Sequence, residues 1–458
     1  MKIRRTFAVT IAATAAVATA GIMPASAGST LNGGGSSFIS NMIEKCSSLY
    51  NGNTAVNTNS DVVSYSSVGS GTGKTNFAAG TYKFGGTESA YSSGAPANFV
   101  YVPLIAGPIG IGYRLDGVTP AGSTVNLGAQ TVAKIFAGQI TMWNDPLIQA
   151  DNTLKKIVAV RTAKKNGAIA RAAKSGKLVK LTLNTDAAGL KKFKGKNVVI
   201  TRTTAAGKVT DVLKTKIAAK VAKSVNYSKG ARYNFTVGVT SLGSVTVDDI
   251  IISRTLQLPA TPIRVAYRSG TSGTTNMFTN YLNKVTPAIW TKNANDAFTT
   301  AFPASIPTNG TFQAASGNDG VTNYVKANNG SITYAELSFI EERASAGVKA
   351  AAVANNAGRF VVPTTKASSL FYAEATVEAD GLVTADYTVQ SADAYLINAI
   401  AFGLGSKTAS ADNTAVRSYF TYFLNTCAPK EASSKGYAAL SGAILTKALA
   451  QVAKISAG

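Results

Sequence analysis

The sequence has 458 residues, with 45 Lys and Arg against 22 Asp and Glu, a formal net charge of +23, and no histidine. The lack of histidine excludes Ser-His-Asp and Cys-His catalysis, histidine metal sites and histidine pH switches. Hydrolytic enzymes of the usual kinds are therefore disfavoured. The charge is local, because residues 154–254 hold 22 Lys and Arg against 4 Asp and Glu, and most of the remaining chain is nearly neutral.

The chain begins with the pattern of a secretory signal peptide. A basic start at residues 2–5 precedes an Ala/Val/Ile-rich stretch from Phe7 to about Met23, and residues 25–27, Ala-Ser-Ala, are typical of a cleavage site. A membrane anchor is the alternative, but the stretch is short and alanine-rich. We predict a signal peptide over 1–27 and a secreted, extracytoplasmic protein of the cell envelope or the surroundings. No lipid-anchor cysteine follows the signal.

Two cysteines, Cys46 and Cys427, occur in the sequence. In an exported chain they suggest one disulfide, and two free buried thiols are the alternative. The apolar stretches "YVPLIAGPIGIGY" and "YLINAIAFGLG" are short and interrupted by Gly or Pro, so they predict buried strands rather than membrane spans.

Residues 154–254 form a separate unit in this interpretation. The unit opens with "RTAKKNGAIARAAKSGK" and continues in alternating runs, "KLVKLTLN", "KNVVITRTT" and "RYNFTVGVT". Alternation predicts half-buried strands, and we expect a small β-rich module inserted into a larger domain. Its lysines form either a solvated surface or a cationic patch for anionic polymers of the cell envelope. Without an aromatic platform or a known motif, we expect no nucleic-acid partner.

Three stretches outside this segment place Gly, Ser and Thr in front of a predicted helix: "GGGSSFISNMIEKCSSLY", "VVSYSSVGSGTGKTNF" and "IRVAYRSGTSGTTNMFTNYL". The apolar faces of the first and third predicted helices are formed by Ile39, Met42, Ile43, Cys46, Leu49 and Tyr50, and by Phe278, Tyr281, Leu282 and Val285. The first turn of a helix has unpaired N–H groups and accepts an anion readily. Each turn alone is more often a plain cap. Three of them, one with Arg268, predict a converging oxyanion site.

The stretch "VGSGTGKT" is close to a nucleotide-binding phosphate loop. Gly73, Lys74 and Thr75 fit that pattern, but its first glycine falls on Val68. An exported protein meets essentially no ATP. We expect Gly69–Gly73 to contact an oxyanion through the backbone and Ser70, and Lys74 to point outward.

Glu88, in "FGGTESAYS", is an acid near this predicted anion site. A carboxylate can accept a hydrogen bond from an oxyanion that keeps a proton, as hydrogen phosphate does, and it repels sulfate. An exposed loop acid or a salt bridge to Arg268 is the alternative for this residue.

These residues resemble the PstS-like phosphate-binding proteins, the extracytoplasmic solute receptors of ABC phosphate importers. The resemblance covers about residues 31–150 and 256–455 and rests on "GGGSSF", "SYSSVGSGTG", "FGGTES", "KIFAGQITMWNDP", "YRSGTSGTTNMFTNYL", "GNDGVTNYV", "GSITYAELSF" and "GYAAL". It implies an α/β, two-lobed periplasmic-binding-protein-like fold (class II), into which the β-rich module, outside the common family pattern, is inserted.

The resemblance also implies the domain boundaries. Lobe 1 takes 28–112 and 388–458, lobe 2 takes 113–153 and 255–387, and the module takes 154–254. Because both chain ends belong to lobe 1, a bridge between Cys46 and Cys427 is geometrically reasonable.

By the same resemblance, phosphate lies between the lobes, and its predicted ligands are Ser37, Phe38, Ser70, Glu88, Arg268, Ser272, Gly273 and Thr274. Two positions depart from the family pattern. Glu88 stands where the family usually has aspartate, and Gly270 replaces the aspartate that usually accompanies the arginine.

The resemblance therefore implies a monomeric receptor for inorganic phosphate that serves an ABC permease at the membrane. We expect that it is not an enzyme and that it has no metal and no cofactor. The alternative is an envelope-associated or adhesive protein that reuses the receptor fold and binds polyanions through its basic module. A phosphatase is disfavoured by the lack of histidine and of a metal cluster.

Overall fold

The computed structural model describes residues 28–153, 155–157, 161–205, 207–248, 250–252, 255–373 and 375–456. The predicted signal peptide over 1–27 lies outside these residues. In the described residues, no helix has the length and apolar character needed to cross a membrane.

The segment before the basic module contains five strands and four helices. They are Thr30–Gly35 (β1), Ser40–Asn51 (α1), Val62–Ser67 (β2), Ser70–Ala78 (α2), Phe84–Thr87 (β3), Phe99–Tyr113 (β4), Asn126–Leu127 (β5), Ala129–Phe136 (α3) and Pro146–Asp151 (α4).

The described residues of the basic segment form ten strands and one short helix. They are Lys155–Ile157 (β6), Thr162–Lys165 (β7), Ala168–Ser175 (β8), Leu178–Thr185 (β9), Ala187–Lys192 (α5), Asn197–Thr203 (β10), Val209–Lys216 (β11), Lys220–Asn226 (β12), Arg232–Val237 (β13), Thr240–Val245 (β14) and Ile250–Ile252 (β15).

The remaining segment returns to mixed α/β structure. Its elements are Arg264–Arg268 (β16), Gly273–Val285 (α6), Phe298–Ala301 (α7), Phe312–Ala315 (β17), Gly317–Ala327 (α8), Ser331–Glu336 (β18), Leu337–Glu341 (α9), Lys349–Ala350 (β19), Ala352–Ala354 (β20), Phe360–Val361 (β21), Thr365–Tyr372 (α10), Thr376–Val377 (β22), Val383–Thr384 (β23), Asn398–Ser406 (β24), Ala411–Tyr422 (α11), Ala428–Glu431 (α12), Ala438–Ala439 (β25) and Gly442–Val452 (α13). Two 3₁₀ turns, Ala344–Ala346 and Ser433–Lys435, and a π-helical turn, Phe423–Cys427, complete it.

The main sheet has ten strands and is organised around β4. Eight strands follow the order β17-β16-β18-β4-β24-β3-β1-β2, while β19 and β25 also pair with β4. The first part of β4 pairs with β24 and its last part pairs with β18, so this long strand joins the two halves of the sheet. The α/β class predicted from the sequence is confirmed, and so are the two apolar stretches predicted as buried strands, since they fall in β4 and β24.

The sheet order also explains where the three predicted turns lie. Strands β1, β2 and β3 run parallel, as do β16, β17 and β18. Within each of these two sets, the carboxyl ends of the parallel strands lie at the same edge. The three predicted turns follow β1, β2 and β16 at such ends, and Glu88 follows β3 in the same way.

The basic segment forms a sandwich of two four-stranded antiparallel sheets, β11-β10-β13-β14 and β12-β9-β8-β7. Both sheets contribute to one core that is distinct from that of the main sheet and includes Leu181, Leu183, Ile200 and Phe235. Strands β6 and β15 pair antiparallel where the segment begins and ends. The predicted lobe and module boundaries remain a prediction.

The cysteines form the disulfide Cys46–Cys427, with 5.7 Å between the Cα atoms, which ties α1 to the π-helical turn. The apolar face predicted for α1 is wrong at one position. Leu49 is 37 % exposed, because it lies at the edge of the stripe whose other members face the core.

Candidate oxyanion site

The first turn, after β1, is packed tightly against β3. The N–H of Ser36 donates to Gly86 O at 2.8 Å, and Gly35 has a φ of 138° with no room for a Cβ beside Gly86. Only glycine combines this backbone angle with such a close approach. Ser36 Oγ donates to Glu88 Oε1 and accepts the N–H of Phe38 at 3.0 Å.

The predicted ligand Ser37 contacts a different part of the chain. Its Oγ accepts hydrogen bonds from Asn318 N at 3.3 Å and from Asn318 Nδ2 at 3.1 Å, at the start of α8. The ring of Phe38 is fully buried, and the Phe38 carbonyl oxygen accepts a 2.6 Å hydrogen bond from the hydroxyl of Tyr437. Neither Ser36 nor Asn318 was assigned a role from the sequence.

The second turn, after β2, brings Ser70 to the same carboxylate. Gly69 has a φ of 90°, which favours glycine, and its N–H donates to Gly35 O at 2.7 Å. Ser70 begins α2, is buried, and donates from Oγ to Glu88 Oε2 at 3.0 Å. Each oxygen of Glu88 therefore accepts a serine hydroxyl from a different turn.

The third turn closes the arrangement from the other half of the sheet. Ser272 caps α6 by accepting the N–H of Thr275 at 3.2 Å. Gly273 follows, and a Cβ at this position would collide with Glu88 Oε2 and with Ser70 Oγ. The first turn of α6 thus lies in contact with the second turn and with Glu88.

Arg268 ends β16 and is 4 % exposed. Its Nε and Nη1 atoms have no hydrogen-bond partner within the described part of the chain, and neither has Thr274 Oγ1. Burial lowers the pKa of Arg268, while the neighbouring Tyr334 and Glu88 raise it. Buried donors are normally satisfied, so these atoms indicate a group that completes the site. An oxyanion accepts hydrogen bonds from both a guanidinium and a hydroxyl.

Glu88 is 2 % exposed, which rules out the exposed loop acid. Burial raises the pKa of Glu88 to about 7, against the lowering effects of the Ser36 and Ser70 hydrogen bonds and of Arg268. Asp296 raises it further. The carboxyl group can therefore change its protonation state near neutral pH.

One prediction about this region is wrong. Lys74 does not point outward: it is 8 % exposed, and its Nζ forms a 2.9 Å ion pair with Asp296 Oδ2. The helix α2 is covered on this side by the segment around Asp296, which nothing in the sequence pattern indicated. Among the described residues no cluster of three or more His, Cys, Asp or Glu side chains could hold a metal ion.

The structure thus gathers Ser70, Glu88, Gly273 and the buried Arg268 around one place, and Ser37 lies one residue beyond the Ser36 contact.

A family model described as "PBP superfamily domain" matches residues 23–249 and 246–426. The chain belongs to this superfamily.

Curated relatives and solved structures that are phosphate-binding proteins agree with the resemblance to PstS-like proteins, which is confirmed. "Phosphate-binding protein PstS 2" of Mycobacterium tuberculosis is 26% identical over 287 residues, covering 60% of this chain and 46% of the relative. "Phosphate-binding protein PstS" of Xylella fastidiosa is 35% identical over 108 residues, covering 24% of this chain and 27% of the relative. The match thus spans about half the length of the Mycobacterium tuberculosis relative.

A solved structure shows the fold. A high affinity periplasmic phosphate-binding protein (PfluDING), bound with phosphate, aligns with a TM-score of 0.55 at 19% identity, covering 92% of this chain and 93% of that one. The predicted two-lobed periplasmic-binding-protein fold is confirmed by this alignment together with the superfamily match.

Proposed function

We propose that this protein captures inorganic phosphate at the site formed by the three turns, Glu88 and Arg268. The observation that carries the proposal is the buried Arg268, whose Nε and Nη1 have no hydrogen-bond partner among the described residues, while a protonatable carboxyl group lies in the same site. A buried cation with open donors favours an anion, and an ionised carboxylate beside it favours an anion that carries a proton. Hydrogen phosphate satisfies both conditions.

The wider role follows from the relatives. These relatives are described as phosphate-binding proteins, and one of them is described as periplasmic. We infer that this chain is an exported, extracytoplasmic phosphate receptor without enzymatic activity, monomeric, and that it delivers phosphate to an ABC permease. These matches favour the receptor over an envelope-associated or adhesive protein that reuses the receptor fold and binds polyanions through its basic module.

Calorimetric titration of the mature protein with phosphate tests the proposal. Arg268→Lys keeps the charge but removes the planar set of donors, so we expect at least a tenfold higher Kd, about 1.4 kcal/mol or more. Arg264→Lys, at the exposed opposite end of β16, is the matched control and should bind as the wild type does. Equal affinity of all three proteins, or no phosphate binding by the wild type, would contradict the proposal.

A second activity is favoured by one face of the module. Four exposed cations, one on each strand of the sheet β12-β9-β8-β7, are Lys220, Lys180, Arg171 and Lys164. They alternate with side chains that enter the module core, as Arg171 does between Ala170 and Ala172, so they face outward. The described strands of this sheet contain no Asp or Glu.

The strand register places three of these cations, Lys164, Arg171 and Lys180, in a diagonal row. Lys164 pairs with Ile169, two residues before Arg171, and Arg171 pairs with Thr182, two residues after Lys180. Successive cations of this row are therefore about 8 Å apart, one strand over and two residues along. Lys220 pairs with Asn184, four residues from Lys180, so it lies on the same face but outside the row. We infer that this face binds linear anionic polymers of the cell envelope.

Retention on immobilised polyphosphate, as a probe, tests this second activity. Changing the four cations Lys164, Arg171, Lys180 and Lys220 to Gln should lower the salt concentration needed for elution. Changing Lys191, Lys192, Lys194 and Lys196 to Gln alters the net charge equally and should have a smaller effect. If both variants elute together, only overall charge matters and the proposed face is wrong.

A further inference from the structure

A buried ion pair lies beside the residues of the oxyanion site. Lys74 Nζ is 2.9 Å from Asp296 Oδ2, and the two side chains are 11 % and 16 % exposed. Lys74 Nζ also donates to Ser89 Oγ and to the carbonyl oxygen of Ala90, both at 2.9 Å. These three oxygen atoms use all three donors of the ammonium group.

Asp296 is held as firmly as its partner. Its Oδ2 accepts a second hydrogen bond from Ser89 Oγ at 3.0 Å, and its Oδ1 accepts one from Asn276 Nδ2 at 2.9 Å. The carbonyl oxygen of Asp296 accepts the N–H of Ser272 at 2.9 Å. The pair is therefore the centre of a network in which every charged atom has a partner.

The network joins the elements that form the oxyanion site. Lys74 lies one turn after Ser70 in α2, and Ser89 directly follows Glu88. Ser272 and Asn276 belong to the start of α6, which carries Gly273. The ion pair thus fixes the second turn, the carboxylate and the third turn relative to one another.

The ion pair also crosses the predicted lobe boundary. Lys74 belongs to the part predicted as lobe 1 and Asp296 to the part predicted as lobe 2. Removing one partner of a buried ion pair leaves an unpaired buried charge, which strongly disfavours the arrangement that contains it. If the lobes separate when the site opens, the pair stabilises the closed arrangement alone.

We propose that Lys74 and Asp296 are positioning residues. Their ion pair links the two predicted lobes, holds the three turns around the bound anion and slows its release. This inference rests on the proposed phosphate-binding function. Neither residue contacts the anion in this account; both act through Ser70, Glu88 and the first turn of α6.

The experiment compares the wild type with Lys74→Met, the nearly isosteric Asp296→Asn and the double variant. Phosphate Kd is measured by calorimetry, the dissociation rate by release of labelled phosphate, and Tm with and without phosphate. Lys83→Met is the control, since Lys83 forms a more exposed ion pair with Asp412.

We expect each single variant to raise Kd at least tenfold, mainly through faster dissociation, with the Tm of the phosphate-free protein close to that of the wild type. The loss of phosphate-binding free energy in the double variant should be smaller than the sum of the losses in the two single variants, because the second change removes the unpaired charge left by the first. Lys83→Met should behave as the wild type.

Three results would overturn the inference. Unchanged Kd and dissociation rates in both single variants show that the pair does not act on the site. A lower Tm without phosphate, with the affinity kept, shows a merely structural role. A wild type that does not bind phosphate removes the proposed function, and the inference falls with it.

Discussion

Glu88 determines which protonation state of an anion this site can accept. As a carboxylate, it accepts a hydrogen bond from protonated phosphate and repels sulfate, which has no proton to give. As a neutral acid, it can donate to sulfate. Because burial raises the pKa of Glu88 to about 7, both states are accessible within a narrow range around neutrality.

Discrimination against sulfate should therefore depend on pH. Above pH 8, Glu88 is mostly ionised and the ratio of sulfate Kd to phosphate Kd should be large. Below pH 6, it is mostly protonated and the ratio should fall by about tenfold or more. Calorimetric or competition titrations with both anions at several pH values measure this ratio.

Glu88→Gln is the matched variant for this prediction. The amide keeps the size of the side chain and can donate to sulfate at every pH, so the ratio should be low and independent of pH. A ratio that stays high in this variant would assign the selectivity to other residues.

The residues of the site could be predicted from the sequence only in part. Glu88, Ser70, Gly273 and Arg268 were predicted from Gly/Ser/Thr turns and a family pattern, and the structure brings them together. The role of Ser36 and the burial of Lys74 were not predicted, because both depend on which distant segment covers them, and a local pattern does not record that.

At the scale of elements, the site depends on close packing of the α6 N-terminus against Glu88. Gly273 is in contact with Glu88 and Ser70, while a Cβ at Gly270, three residues earlier, would meet nothing within 4 Å. The same turn therefore contains one glycine that the packing requires and one that it does not.

Gly273→Ala should abolish or strongly weaken phosphate binding, by about a hundredfold or more, since the added methyl group must displace the carboxylate or the helix. Gly270→Ala is the control and should retain the wild-type affinity. Phosphate titrations of both variants, with Tm as a check on folding, provide the measurement. Wild-type affinity in Gly273→Ala would show that this contact is not part of the binding geometry.

Element prediction succeeded where alternation was strong and failed where turn chemistry was overlooked. The strands over "KLVKLTLN" and "RYNFTVGVT" were predicted and are present. No strand is predicted from the stretch "RTAKKNGAIARAAKSGK", but it contains β7 and β8, which are joined by the turn at Asn166 and Gly167. Both turn residues have positive φ, 48° and 74°, and Asn-Gly is the strongest local signal for such a hairpin.

At the scale of the whole molecule, a second buried carboxylate links distant segments. Glu336, at the end of β18, accepts hydrogen bonds from Ser338 N at 3.0 Å and from the Tyr437 hydroxyl at 3.2 Å. The Tyr437 hydroxyl also reaches the Phe38 carbonyl oxygen. Burial raises the pKa of Glu336 to about 8, against the lowering effect of these hydrogen bonds.

This pKa predicts a loss of stability as pH rises. In the unfolded chain Glu336 ionises near pH 4.5, whereas in the folded protein it keeps its proton to about pH 8. Stability should therefore fall between these values, by on the order of 5 kcal/mol from this group, and level off above them. Glu88 contributes in the same direction up to about pH 7.

Glu336→Gln tests this dependence, because an amide does not ionise. Thermal unfolding from pH 5 to pH 9 should show a smaller decrease of Tm with pH in the variant than in the wild type. Parallel curves for the two proteins would mean that Glu336 is ionised in the folded protein throughout this range.

The architecture of the whole molecule was predictable through the family pattern, which supplied the two-lobed fold. The disulfide between Cys46 and Cys427 was predicted from the two cysteines of an exported chain, and the family pattern made it geometrically reasonable. For the basic segment, alternation predicted a β-rich module but not the pairing order of its strands. Its pairing order depends on long-range register, which alternation along single strands does not determine.

A crystal structure of the mature protein with phosphate tests the central claim most directly. We expect one tetrahedral ion that accepts hydrogen bonds from Arg268 Nε and Nη1 and from Thr274 Oγ1, and that contacts Ser70 and Glu88. Phosphate bound elsewhere, with these atoms facing water or other protein groups, would contradict it.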